Sequence, residues 1–128
     1  MPTDPPAVAA IRRRPCPPWC AKGNHRFTAD RRTPWDLTRS HTIDFELNGR
    51  RRMVDLDSFD EYTVNALRGS GEPDEDLPGE PSISCDQRFE LYGGTAADAR
   101  RLADRVQVFA DQLRSAADRL QQITDDGR

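Results

Sequence analysis

Cys16-Pro17-Pro18-Trp19-Cys20, followed by His25, places two thiols and an imidazole within ten residues, in a segment whose prolines forbid a regular helix. A loop carrying two soft sulfur ligands and a nearby nitrogen ligand suits a tetrahedral zinc ion. A closed structural site takes four ligands. His41 completes the pattern C-x3-C-x4-H-x15-H, with Cys85 as the competing fourth ligand. The ligand set is that of a Cys2His2 zinc finger, but the spacing is not, so no finger-type helix is expected. Cys85 falls inside an expected strand and reads as a small core residue. Two plainer readings stand beside the metal: a disulfide between Cys16 and Cys20, or a metal-free packed loop with a satisfied, buried His41. Trp19 covers the site in either the metal-bound or the metal-free case.

A metal staple matters because the core is small. The 128 residues are 35% hydrophobic and 32% charged, with ten prolines and eight glycines, and a domain of this size gains appreciably from a cross-link. No run approaches the ~18 apolar residues of a membrane span. The start, Met-Pro-Thr-Asp-Pro-Pro, lacks the apolar core of a signal peptide. Three cysteines, an odd number, fit a reducing compartment, so a soluble, cytoplasmic protein is expected.

Along the chain, residues 1–15 are rich in Pro and Ala, end in Arg12, Arg13 and Arg14, and read as a disordered arm. Residues 16–123 read as a single small α+β domain and 124–128 as a disordered tail. Within the domain, 27–38 is expected as a loop. His41-Thr42-Ile43-Asp44-Phe45-Glu46-Leu47 alternates polar and apolar residues. Asn48-Gly49, the favoured type I′ hairpin pair, follows it, and residues 50–57 return as a second strand. A two-residue turn pairs Ile43 with Val54 and His41 with Leu56, which turns His41 towards the core. Residues 58–68 fit either a short helix, from Ser58 and Glu61 as a capping box, or a strand, from the alternation of Tyr62, Val64 and Ala66; strand is preferred. Residues 69–81, dense in Gly and Pro, read as a flexible loop. Ile83, Cys85, Phe89 and Leu91 share one parity and predict a further strand. Thr95 caps a long helix with Asp98 at its third position. Leu102, Val106, Phe109, Leu113, Ala116, Leu120 and Ile123 then recur at spacings of four and three. That seam either lies across a small antiparallel sheet of three to four strands, the preferred reading, or extends past it to pair with a second copy.

These blocks resemble a group of small actinobacterial proteins, or proteins of their phages, of uncharacterised function. Their pattern is C-P-x-W-C with a following His, a strand-rich middle, and a stretch like T-x-A-E-A-R-x-L-A opening an Ala-rich helix. The matches here are residues 16–20 with His25, and Thr95-Ala96-Ala97-Asp98-Ala99-Arg100-Arg101-Leu102-Ala103, where Asp98 replaces the usual Glu. The resemblance implies an α+β fold and no activity.

Three functions remain open. A non-enzymatic, zinc-stabilised protein-interaction module leads, with metal ligands Cys16, Cys20, His25 and His41, an unknown protein partner, and a homodimer through the C-terminal helix as one form of association. A nucleic-acid-binding regulator is the alternative. It would use Arg12, Arg13, Arg14, Lys22, Arg26, Arg31, Arg32 and Trp35, because cations hold phosphates while an aromatic stacks on a base. Residues 1–52 carry a net charge of +6 and residues 53–128 of −9, so the front end is basic. The net charge of −3 and pI of 5.4 speak against it. A small metalloenzyme is third, with the acidic run Asp55, Asp57, Asp60 and Glu61 as base or second metal site, unless that run is only a solvated turn. No H-E-x-x-H, phosphate loop, G-x-S-x-G or dinucleotide fingerprint occurs, so no catalytic residue is assigned.

Overall fold

Asn48 and Gly49 both adopt positive φ, 52° and 72°, and the Arg50 amide donates to the Leu47 carbonyl at 3.0 Å, the mirror-image turn expected of this pair. The strands it was expected to join lie further off. In the computed structural model, which describes residues 5–127, β1 is Asp36–Thr42 and β2 is Val54–Thr63. They pair antiparallel with His41 opposite Ser58 and Thr42 opposite Asp57. The register therefore differs by two residues from the one the turn alone predicts, and β1 begins inside the segment expected as a loop. An even displacement keeps every side chain on its face, so Leu37, Arg39, His41 and Ile43 all point inward and are buried.

The remaining elements are α1 (Pro6–Arg12), α2 (Asn65–Arg68), β3 (Glu75–Leu77), β4 (Ser82–Cys85) and α3 (Ala96–Asp126). The sheet is four-stranded and antiparallel, with β3 and β4 both pairing with β2, and the fold is α+β, as expected. Residues 58–63 take the strand, and the helix is confined to α2. The loop expected over 69–81 instead contributes β3 and is tethered by Asp74. Its carboxylate accepts from the Asn65 amide at 2.9 Å and from the Tyr62 hydroxyl at 2.8 Å. The strand expected to reach Leu91 stops at Cys85, which is exposed rather than a core residue.

The described residues fall into two compact units. The first unit holds residues 5–43 together with 57–81. Its apolar centre is Val8, Ile11, Phe27, Leu37 and Val64. Residues 6–12 are therefore no disordered arm: Pro6 at the first helical position presets the helical φ, and Val8 and Ile11, three apart, fall on one buried face. Residues 1–4 of that arm lie outside the described residues.

The second unit holds 44–56 and 82–127 and is dominated by the 31-residue α3. Thr95 and Asp98 form the expected capping box in both directions, Asp98 N to Thr95 Oγ1 at 3.2 Å and Thr95 N to Asp98 Oδ2 at 2.9 Å. The helix continues through Asp126 into the segment expected as a tail; Arg128 lies outside the described residues. Of the apolar seam, Ala116 and Ile123 are buried, but Val106 remains 41% exposed. A polar residue is buried on the same helix: Gln112 accepts from the Met53 amide at 2.8 Å and donates to the Arg51 carbonyl at 2.6 Å. Phe109 meets Phe89 with ring centroids 5.5 Å apart.

Candidate metal centre

The ligand loop is built by short-range backbone bonds. The Cys20 amide closes a turn onto the Pro17 carbonyl at 3.0 Å, which swings the second thiol back beside the first. Gly23 and Asn24 both take positive φ, 59° and 44°, reversing the chain so that His25 returns towards Cys20. A glycine takes that conformation without steric cost and asparagine tolerates it better than most residues. The loop is then pinned to β1: Cys20 bridges Ile43, and the Ala21 amide donates to the Thr42 carbonyl at 2.7 Å. This brings Cys20 to the end of the strand on which His41 faces inward.

The result gathers one donor atom each from Cys16, Cys20, His25 and His41, all within 4.8 Å of one another, a set able to hold a metal ion. Cys20 and His41 are buried, Cys16 and His25 half-buried. Cys20 Sγ and His25 Nε2 are 3.5 Å apart, inside the roughly 3.3–3.8 Å between ligand atoms of a tetrahedral zinc with Zn–N near 2.0 Å and Zn–S near 2.3 Å. The rings of Trp19 and His25 both meet His41 edge-on, at 5.6 and 5.2 Å. All three cysteines carry free thiols, so no disulfide closes the loop. Of the two sequence candidates for the fourth ligand, His41 is in the cluster; Cys85 belongs to the second unit.

Desolvation raises the Cys16 thiol above its ordinary value. It also lowers the His25 imidazole, and the neighbouring His41 adds to that effect. Both shifts disfavour the charged form: desolvation outweighs the pull of Arg39 on Cys16 and of Asp60 on His25.

Two residues outside the predicted set organise the centre. Arg39, 6% exposed, donates from Nη1 to the carbonyls of Arg14 at 2.6 Å and His25 at 3.2 Å, and from Nη2 to the Pro15 carbonyl at 3.5 Å. Its guanidinium stacks 4.3 Å from the Phe27 ring centroid. One side chain thus ties both ends of the ligand loop to β1. Asp60, directly across from Arg39 in the ladder, accepts from Arg39 Nη2 at 3.3 Å and lies 2.5 Å from His41 Nε2. Burial pushes its carboxyl up, but the Gly79 amide, His41 and Arg39 together outweigh that and hold it below the ordinary carboxylate range. Strand parity was the available signal for Arg39, which sits two residues before His41 and so on the same face. Asp60 was marked in the sequence only as one of an acidic run; pairing register is what sets it across from Arg39.

The residues of the nucleic-acid reading are placed differently. Arg12 donates to the Phe27 carbonyl at 3.4 Å. Arg14 pairs with Asp76 at 2.9 Å and lies 4.9 Å over the Tyr62 ring. Arg13, Lys22, Arg26, Arg31 and Arg32 are exposed, and Trp35 is half-buried. In the acidic run only Asp60 takes part in the centre, as a partner of Arg39 and His41 rather than as a solvated turn residue. No described helix is long and apolar enough to cross a membrane.

No curated protein and no solved structure matches this chain. A family model described as a domain of unknown function, DUF6907, matches residues 2–122. With that match running from ahead of the ligand loop almost to the end of α3, the protein belongs to the DUF6907 family.

Proposed function

We propose that this chain is a zinc-stabilised, non-enzymatic interaction module. The convergence of two thiols and two imidazoles within 4.8 Å carries the reading. Two sulfurs and two nitrogens in a tetrahedral space favour zinc over hard cations, which prefer oxygen. Four protein ligands also fill the coordination shell and leave no open position for a reactive water. Three free thiols suit a reducing compartment such as the cytoplasm. The metal would hold the ligand loop onto β1 and so stiffen a unit whose apolar centre is small.

The surface left for association is the flank of α3. Val106 is exposed there, and Leu91 and Tyr92, the latter 85% exposed, stand just ahead of the helix. Arginine outnumbers aspartate in its first half (Arg100, Arg101 and Arg105 against Asp98 and Asp104). Aspartate outnumbers arginine in its second half (Asp111, Asp118, Asp125 and Asp126 against Arg114 and Arg119). Two copies packed antiparallel along α3 would set unlike charges against each other.

Metal content of untagged protein, measured beside a Cys16→Ser/Cys20→Ser variant, tests the metal. The expected result is about one zinc per chain, lost in the variant together with cooperative unfolding of the first unit. Metal-free wild-type protein, unfolding like the variant, would reduce the loop to ordinary packing. Zinc-dependent hydrolysis of a panel of esters or phosphates would overturn the non-enzymatic part.

A further inference from the structure

His41 is fully buried, yet only one of its ring nitrogens has a partner. Nε2 lies 2.5 Å from Asp60 Oδ2, while Nδ1 is buried with no hydrogen-bond partner. A buried nitrogen left unpaired is destabilising, and a native site seldom keeps one without a use for the atom. The direction of the Nε2 contact follows from what else surrounds Asp60. Its Oδ1 receives the Gly79 amide at 2.9 Å, and its Oδ2 receives Arg39 Nη2 at 3.3 Å. Both of these groups can only donate, so the carboxylate is an acceptor on every side. His41 must then carry its proton on Nε2, which leaves the Nδ1 lone pair facing away from Asp60.

We propose that Asp60 is the outer-sphere carboxylate of the metal centre: it fixes His41 in the Nε2–H form so that Nδ1, not Nε2, is the metal-binding atom. This rests on the metal reading above. His25 works in the opposite sense, because its Nε2 is the atom beside Cys20 Sγ. The two imidazoles thus bind through different nitrogens. Metal-bound histidines commonly donate their second N–H to a carboxylate, which orients the ring and raises its basicity; loss of such a partner costs about 10–100-fold in metal affinity. Gly79 completes the arrangement. A Cβ at that position would run into the Phe59 backbone, so only glycine lets the loop amide come close enough to hold Asp60 Oδ1. Asp60 is accordingly a positioning residue, itself positioned from β1 by Arg39 and from the loop after β3 by Gly79.

The test measures zinc affinity by chelator competition for the full chain and for Asp60→Asn and Asp60→Ala. It also records long-range 1H–15N spectra of the histidine rings and the visible spectrum of the cobalt(II)-loaded forms. The expected result is an Nε2–H His41 with Nδ1 on the metal in wild type. Asp60→Ala should weaken zinc by about 10–100-fold, with altered cobalt bands. Asp60→Asn, which retains an oxygen to accept from Nε2 but not the charge, should lose less affinity and keep the tautomer. A wild-type protein that binds zinc while His41 coordinates through Nε2, or while both variants bind as tightly as wild type, overturns the role of Asp60 and leaves the metal reading intact. A wild-type protein that takes up no zinc overturns both.

Discussion

Arg39 shows how much one buried charge can organise. Its guanidinium has three backbone carbonyls, one carboxylate and one aromatic face as neighbours; its planar fork of five N–H donors serves these acceptors and still stacks on the ring, which the compact three-donor ammonium of a lysine cannot do. Its side chain is 4% exposed and that of Asp60 13%, so removing the cation leaves the carboxylate with the Gly79 amide and His41 alone. Breaking a buried ion pair from one side costs about 3–5 kcal/mol. Asp60 keeps two donors, so Arg39→Met should fall near the lower end, read as a reduced urea midpoint with unchanged slope. Arg39→Lys should recover only part of it. A midpoint equal to wild type for Arg39→Met would mean that the loop is held by its own turns and by the strand contacts at Cys20 and Ala21.

At the scale of elements, α3 has its strongest local signal at its first turn. Thr95 and Asp98 satisfy each other's backbone amides, so Thr95→Ala should cost about 1 kcal/mol and fray the first turn, visible as faster amide exchange at 96–99. The Asp98 carboxyl is held below the ordinary carboxylate range by the Thr95 amide and hydroxyl and by Arg101. A depressed folded value means stabilisation that is fully present above the unfolded carboxylate pKa and is lost as pH falls through the folded one. Helicity at the α3 N-terminus should therefore hold down through mildly acidic pH and decline only below the ordinary aspartate range. A decline already complete near neutral pH would contradict the cap. In the body of the helix, Gln112 spans Met53 and Arg51 with two hydrogen bonds. Gln112→Leu leaves both backbone groups without that partner and should destabilise by about 1–3 kcal/mol for each group that water cannot reach, measured by thermal unfolding of the variant.

For the whole molecule, association is the open property. Val106 is exposed on a helix flank whose charges change sign along its length. Sedimentation of wild type against Val106→Glu should show a dimer for the first and a monomer for the second; a monomeric wild type at high micromolar concentration would remove self-association through α3. Much of the architecture was already legible along the chain. Period-two alternation placed His41 on an inward face, Asn48-Gly49 specified its turn, and the Thr95 to Asp98 spacing set the start of α3, because each depends on local backbone sterics and hydrogen bonds. The cluster able to hold a metal was partly legible for the same reason: Cys16, Cys20 and His25 lie within ten residues, while His41 and Cys85 both stood as the fourth candidate.

What local chemistry could not specify was decided by pairing and packing. The turn alone put Ile43 opposite Val54; the folded ladder is displaced by two residues. That displacement is neutral for burial, since it preserves every face, but it sets Asp60 across from Arg39 and within reach of His41 Nε2. Val8 and Ile11 gave residues 6–12 a buried face that a proline- and alanine-rich composition concealed, and Asp74 anchored a loop that its glycines and prolines made to look free. The sequence by itself determined which residues offer metal-binding atoms and which elements can form, because those depend on residue type and short-range geometry. Only the tertiary structure decided which carboxylate supports the centre, which imidazole nitrogen is left open, and how much of the α3 seam is covered, because each of those depends on groups far apart in the chain meeting at a single register.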